Sequence, residues 1–370
     1  MEVRLYEFYK STLFRRIGIT YLATGHYAES KYGVGEFELS IPMEAAFAVE
    51  FSTDRLVLID RRYWGVITGR KLDNGSENTI TVKGKELKDW LARRQIVPDN
   101  QVTDNVPMGY DSAEGWTESI LKHYVENHAV SPQNPARRFP MLRIAPDQHR
   151  GTENDAYYAR FVNLMDTLEI VGKRANLGTR ITGDEQTGLF TFDVYGQTDR
   201  TVNQTTNKPL LLDVGRHNLD ASSYTEEYGQ SGNVFYCSRS GDEFEWETLT
   251  QTYFSTDDEP QWFSRREKAM SISVYEDGNQ YEELEKNARK EMVKYRPAQE
   301  LTCTVSRGLI YGTDYRLGDI VTVRNGEAGI LADMEITAVD TVVTAESTSY
   351  TVSFGEQQLT TLDQIRRDSK

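Results

Sequence analysis

The sequence predicts an α+β, β-rich fold: two β-barrels, one towards each end, with a small α+β subdomain inserted between them. Three observations predict it. Short runs with period-2 alternation crowd both ends, bounded by glycine, asparagine or aspartate, as half-buried strands and their turns are. The middle of the chain loses that rhythm and carries apolar residues at helical spacing. The chain has 370 residues, more than one hydrophobic core usually spans, and 11% are aromatic, with 21 Tyr. Such rings bury a large body and keep a polar tip, which suits strands and contact surfaces.

Residues 1–97 read as the first barrel with a closing helix. Leu5 to Phe14 is a first strand region, and Tyr21 to Ser40 is a long hairpin broken near Tyr32-Gly33-Val34-Gly35. Between Gly35 and Ile41, Phe37, Leu39 and Ile41 share one face; Glu36, Glu38 and Ser40 share the other. Phe47 to Phe51, Arg55 to Ile59 and Tyr63 to Arg70 continue the strand rhythm. Asp73-Asn74-Gly75 is a turn, and Thr79 to Lys83 is a strand that Gly84 ends. Glu86 to Arg94 places Leu87, Trp90 and Leu91 at helical spacing.

Residues 98–207 read as the α+β subdomain. One helix follows the start signal Asp111-Ser112, with Trp116, Ile120, Leu121, Tyr124 and Val125 as its stripe. Pro132, Pro135, Pro140 and Pro146 break the next stretch and leave a short strand at Leu142 to Ile144. A second helix follows Asp155, with Tyr158, Phe161, Val162, Met165 and Leu168 facing one way. Gly178 to Thr182 and Leu189 to Tyr195 form a hairpin.

Residues 208–355 read as the second barrel region. Strands lie at Leu210 to Val214, Asn233 to Ser238 and Glu243 to Thr250. Tyr281 to Tyr295 is a helix with Tyr281, Leu284, Ala288, Met292 and Tyr295 on one stripe. Glu282 with Lys286, and Glu285 with Arg289, are i,i+4 pairs in the favourable order, and Pro297 stops the helix. Leu317-Gly318-Asp319 then turns the chain into the β-branched run Ile320 to Val323, and Asn325-Gly326 turns it back. Met334, Ile336 and Ala338 alternate with Asp333, Glu335 and Thr337; Tyr350, Val352 and Phe354 alternate with Thr351 and Ser353. Residues 356–370 suggest a C-terminal helix through Leu359, Leu362 and Ile365.

The net charge of −15 argues against a protein that grips nucleic acid through its phosphates. Two cysteines, Cys237 and Cys303, are too few for a disulfide framework and read as reduced, small apolar residues. Met1 to Lys10 has no signal-peptide core, and no run approaches the roughly 20 apolar residues that span a bilayer. The expectation is a chain without a membrane anchor that folds in a cytoplasm.

No catalytic, cofactor or metal signature emerges. The five histidines lie at 26, 123, 128, 149 and 217. His123 and His128 are five residues apart on an expected helix, so they are expected on different faces. There is no His-Glu-x-x-His, no Cys-x-x-Cys, no Gly-x-Ser-x-Gly elbow and no phosphate-binding loop. Asp73-Asn74-Gly75 and Glu276-Asp277-Gly278-Asn279 lack calcium-loop ligand spacing and read as turns. With 57 carboxylates the plain reading of nearly all of them is a solvated surface. Arginine pairs recur at Arg15-Arg16, Arg61-Arg62, Arg93-Arg94, Arg137-Arg138, Arg265-Arg266 and Arg366-Arg367. They suit subunit or partner contacts through bidentate pairing, against the alternative of plain surface charge.

The closing stretch resembles the phage tail hub family, the tail-associated or baseplate hub proteins at the tip of long-tailed phages. The resemblance is carried by Leu317-Gly-Asp-Ile-Val-Thr-Val323, by the strand with Glu335-Ile-Thr-Ala-Val339, and by Tyr350-Thr-Val-Ser-Phe-Gly355. It extends more loosely over the rest, where residues 1–97 look like the family's first barrel, of the fold shared with tail tube proteins. Ile80-Thr-Val-Lys-Gly-Lys-Glu-Leu87 echoes Tyr350-Thr-Val-Ser-Phe-Gly-Glu-Gln357.

The resemblance implies two tube-protein-like barrels per subunit and a homotrimer closing the tail tube. The implied partners are the distal tail protein, the tape measure protein and receptor-binding or fibre proteins, with DNA passing through without specific binding. It also implies a place at the virion tail tip, after assembly in the host cytoplasm. Because the sequence stops soon after Gly355, no attached cell-wall hydrolase is expected. Glu36, Glu38, Asp333 and Glu335 are then candidates for the channel wall. Arg61, Arg62, Arg93, Arg94, Arg137 and Arg138 are candidates for interfaces. The alternatives are a host-glycan-binding adhesion module and a polysaccharide-degrading tail enzyme.

Overall fold

The computed structural model describes residues 1–9, 13–73, 78–98, 109–239, 249–274, 279–305, 308–326 and 330–355. The N-terminal block runs β1 (Glu2–Tyr9), β2 (Leu13–Tyr21), β3 (Gly25–Ser30), β4 (Glu36–Pro42), β5 (Leu56–Ile59), β6 (Tyr63–Asp73), β7 (Thr79–Glu86) and α1 (Asp89–Ala92). The middle runs β8 (Asp111–Gly115), α2 (Thr117–Val125), β9 (Leu142–Ile144), β10 (Asp155–Ala159), α3 (Leu164–Arg174), β11 (Gly178–Asp184) and β12 (Leu189–Tyr195). Then come β13 (Thr198–Asp199), β14 (Leu211–Asp213), β15 (Leu219–Glu227), β16 (Val234–Arg239), β17 (Thr250–Phe254), β18 (Glu267–Ile272) and α4 (Gln280–Met292). The chain closes with β19 (Ala298–Val305), β20 (Asp319–Asn325), β21 (Ile330–Val343) and β22 (Thr348–Gly355).

By packing, the described chain forms two compact units: Met1–Ser222 with Thr302–Phe354, and Ser223–Leu301. The expectation of two separate closed barrels is corrected in the first unit. Strands from both ends of the chain share one open sheet, which includes the order β22-β21-β3-β4-β7-β6-β5-β1-β2. The seam is the antiparallel pairing of β21 with β3, in which Val339 faces Glu29 and Thr341 faces Tyr27. Each end block by itself leaves an open strand edge, β3 in one and β21 in the other. Pairing the two blocks removes two edges at once, which separate open blocks cannot do.

Two cores flank the N-terminal part of this sheet. Val3, Leu5, Leu39, Ile41, Val57, Ile59, Ile80 and Val82 fill one. Tyr6, Leu56, Leu58, Trp64, Trp90, Leu121, Tyr124, Phe190 and Phe192 fill the other. Leu56-Val57-Leu58-Ile59 is therefore apolar without alternation because β5 is buried on both faces. In the second unit, Leu284, Ala288 and Met292 of α4 pack on Phe235 and Cys237 of β16 and on Met270 and Ile272 of β18, as the helical stripe predicts.

Several local expectations change. Phe47 to Phe51 is not a strand; Ala48–Glu50 is a short 3-10 turn entered through Phe47 at φ 64°. Gly84 does not end β7, because its missing Cβ makes room for the Phe37 ring. Asp111-Ser112 and Asp155 begin strands, β8 and β10, that pair with each other. The helices start later, α3 at the Asn163 cap, whose Oδ1 accepts from Met165 N at 2.9 Å. Gly318 takes φ 89°, as the Leu-Gly-Asp turn requires. The Asp319 side chain is buried there, 2.8 Å from the Arg200 guanidinium. Both cysteines are free and buried. The Asn74-Gly75 turn, the calcium-like run at 276–278, most of the strand expected at Glu243 to Thr250, Arg366-Arg367 and the C-terminal helix lie outside the described residues.

Candidate functional site

The four channel candidates divide by position. On β4 the alternation is strict: Phe37, Leu39 and Ile41 are buried and Glu36, Glu38 and Ser40 are exposed. Across the ladder Glu36 faces Lys85 and Glu38 faces Lys83, with a 2.8 Å ion pair in the second case. On the other side His26 of β3 lies opposite Glu38 and pairs with Asp340 of β21 at 2.6 Å. The Asp340 hydrogen bond, reinforced by the fields of Asp340, Glu36 and Glu38, raises the His26 pKa against the opposing effect of burial. This face is solvated and laced with both signs of charge, not purely anionic.

On β21, Asp333 is exposed and its Oδ1 accepts from Thr322 Oγ1 at 2.5 Å. Glu335 has a different surrounding. Its carboxylate accepts from the ammonium of Lys31 and, at 3.2 Å, from Tyr32 Oη. Lys31 is fully buried and its Nζ also donates to Asn176 O at 2.7 Å. The Lys31 backbone donates to Thr337 O at 2.8 Å and accepts from Thr179 N at 3.3 Å. One residue thus binds the N-terminal block, the α+β middle and β21. Burial lowers the Lys31 pKa more than Glu335 restores it. Lys88, also fully buried, reinforces the same loop by donating to Ser30 O at 2.5 Å. Sequence reasoning did not single out Lys31; a buried lysine leaves no periodic mark, so no local signal could have found it.

The arginine candidates are mostly engaged within the chain. Arg61 pairs with Glu2 at 3.2 Å; Arg62 pairs with Glu29 at 2.7 Å and lies over the Tyr311 ring at 4.1 Å. Arg93 spans Asp54 and Asp89. Arg94 stacks over Phe139 and donates to Arg137 O at 3.0 Å, while Arg137 donates to Gln95 O. Arg138 is exposed.

A histidine clasp corrects the expectation for His123 and His128. After α2 the chain widens into a π-turn over Glu126–Val130, with Ser131 N donating to Glu126 O at 2.7 Å, an i→i+5 bond. The wider turn brings residues five apart onto one side. His123 Nε2 and His128 Nε2 donate to the two carboxylate oxygens of Asp111 at 2.8 and 2.6 Å. Burial would raise Asp111, but the two imidazole hydrogen bonds outweigh it and hold it at about 2. The buried Nδ1 of His128 has no hydrogen-bond partner among the described residues. Among those residues no group of three or more His, Cys, Asp or Glu is placed to hold a metal ion, and no helix is long and apolar enough to cross a membrane.

Residues 3–356 match the family described as Siphovirus ReqiPepy6 Gp37-like protein. The chain belongs to that family. The family is one of siphovirus proteins. Its fold is similar to that of the 43 kDa tail protein of prophage MuSo2 from Shewanella oneidensis, with a TM-score of 0.60 at 12% identity over 96% of this chain and 98% of that one. A tail protein from Neisseria meningitidis MC58 has a TM-score of 0.55 at 15% identity over 96% of each chain. Prophage tail protein gp18 from Listeria monocytogenes EGD-e has a TM-score of 0.54 at 10% identity, over 100% of this chain and 98% of that one. No curated protein sequence matches the chain. The Lys31 junction and the clasp tie separate stretches of the chain together, and Glu36, Glu38 and Asp333 stand in solvent.

Proposed function

We propose that the chain is the trimeric hub of the phage tail tip, closing the tail tube and joining it to the host-recognition apparatus. The observation that supports this reading is the seam between β21 and β3, which makes two strand blocks of one chain into a single sheet. A subunit with two such blocks lets three chains present six, the number that a threefold tip needs to meet a sixfold tube. In this reading residues 1–97 and 208–355 supply the two tube-like barrels, each completed in the assembled ring, and 98–207 is an accessory body. Glu36, Glu38 and Asp333 face the channel; Glu335 braces the wall from behind through Lys31. Lysines beside the glutamates keep the wall near neutrality, so duplex DNA meets neither a counterion-releasing grip nor a strong barrier. Distal tail protein and tape measure protein contact the ring from the tube side, and receptor-binding or fibre proteins contact it from the host side. Exposed arginines such as Arg138 serve these contacts. The role is mechanical and not enzymatic.

Electron microscopy of the purified protein at high concentration tests this. A threefold ring with six similar lobes around a central opening is expected. A monomer at every concentration, in low and moderate salt, overturns the hub reading.

A further inference from the structure

We propose that the Trp262-Phe263 turn is a docking knob for a different protein, one that presents an apolar pocket with a basic rim. Trp262 is 85% exposed and Phe263 is 99% exposed. Trp64 and Trp90, by contrast, are 6% and 5% exposed. The two aromatics add nothing to the core of their own unit, which Phe235, Cys237, Met270, Ile272, Leu284, Ala288 and Met292 fill. Two adjacent large rings left in water on a soluble surface mark a contact site when the backbone beneath them is rigid.

The backbone beneath them is rigid. Ser264 N and Oγ both donate to Gln261 O, at 3.2 and 2.6 Å, and Arg265 N donates to Trp262 O at 3.2 Å. Arg265 ties the turn down through Glu259 at 2.6 Å and Pro260 O at 3.2 Å on one side and Glu267 at 2.5 Å on the other. Asn233 Nδ2 donates to Ser264 O and its Oδ1 accepts from Arg266 N, both at 2.7 Å. Trp262 holds φ 54°, a conformation a tryptophan adopts only where its surroundings impose it. The turn therefore presents its rings preorganised, which spares the ordering cost of binding.

Charge selects the occupant. Asp257, Asp258 and Glu259 precede the knob and are exposed, and Asp257 and Asp258 make no ion pair among the described residues. Glu259 is balanced by Arg265, which leaves Asp257 and Asp258 as the uncompensated charges just before the knob, and these disfavour nucleic acid and anionic lipid headgroups. A convex aromatic tip inside an acidic collar fits a concave apolar site rimmed by lysine or arginine. The inference rests on the proposed place in the phage tail and does not need the hub assignment.

The test places p-benzoylphenylalanine at position 263 in assembled tails, with position 281 of the same unit as control, followed by irradiation and mass spectrometry. The expected result is one adduct at 263 to another virion protein, on a peptide carrying basic residues around apolar ones. In parallel, W262S/F263S should melt like the wild type yet hold that protein at least roughly 30-fold more weakly in particles. No adduct, an adduct to a second copy, to lipid or to cell-wall glycan, or unchanged partner content in W262S/F263S tails would each overturn the proposal.

Discussion

β4 and β21 carry the same written pattern, and their carboxylates end in opposite surroundings. Glu38 stands in solvent with Lys83 across the ladder, whereas Glu335 closes on a lysine with no exposed surface. Alternation fixes the side of a strand on which a residue projects. Whether that side holds water or another part of the chain depends on what the topology brings there. In β21 it brings the loop after β3 and the carbonyl of Asn176.

The comparison predicts its largest effect at Glu335. E335A leaves the Lys31 ammonium buried without its counter-charge and should cost about 3 kcal/mol, whereas E36A and E38A should each cost less than about 0.5 kcal/mol. Urea denaturation measures both. Adding Lys31→Met to E335A should recover at least about 1 kcal/mol, because the stranded charge is then gone. Equal losses at Glu335 and Glu38 would break the contrast.

Asp111 is a second carboxylate taken inward, and it sharpens the same point through pH. D111N should cost about 1–2 kcal/mol at neutral pH by loosening the clasp. The folded Asp111 is held at about 2, below the unfolded value near 3.9. Its contribution is therefore fully present above about pH 4 and fades as pH falls towards 2. The stability gap between D111N and wild type should shrink over that window; a gap constant down to pH 2 would refute the clasp.

Outward carboxylates should tolerate inversion. E36K/E38K/D333K, with Glu335 left in place, should lose no more than about 1 kcal/mol per site from like-charge neighbours such as Lys83 and Lys85. If these residues face a channel, the altered particles eject DNA more slowly, and most visibly at low salt where screening is weakest. Normal ejection at low salt would remove them from the channel wall.

The smallest effect is electrostatic at a distance. E36Q/E38Q should lower the raised pKa of His26, seen in an NMR titration of its ring protons. Because the folded value is raised, the stability His26 supplies is present below the ordinary histidine value of about 6.5 and is lost as pH rises through the folded one. An unmoved titration would mean that Asp340 alone sets the shift.

Much of this arrangement was written in local sequence. Alternation in Glu36 to Ile41, the stripe of Leu284, Ala288 and Met292, and the Leu317-Gly318-Asp319 turn each place their own residues, because strand, helix and positive-φ turn are decided within a few neighbours. Local start signals were less dependable. Asp111-Ser112 looked like a cap, but the Asp111 carboxylate instead accepts from His123 of α2 and from His128 of the turn after it. His123 and His128 looked mismatched because an ordinary helix was assumed, and one widened turn reverses that.

By itself the sequence determined most of the strands, the α4 stripe, the buried face of β4 and the resemblance to tail proteins. Only the tertiary structure decided that both ends of the chain share one open sheet, that Lys31 and Glu335 meet inside it, and that Trp262 and Phe263 stand in water. Strand pairing and burial of charge depend on residues hundreds of positions apart, and their energy is settled by desolvation at the place where those residues meet.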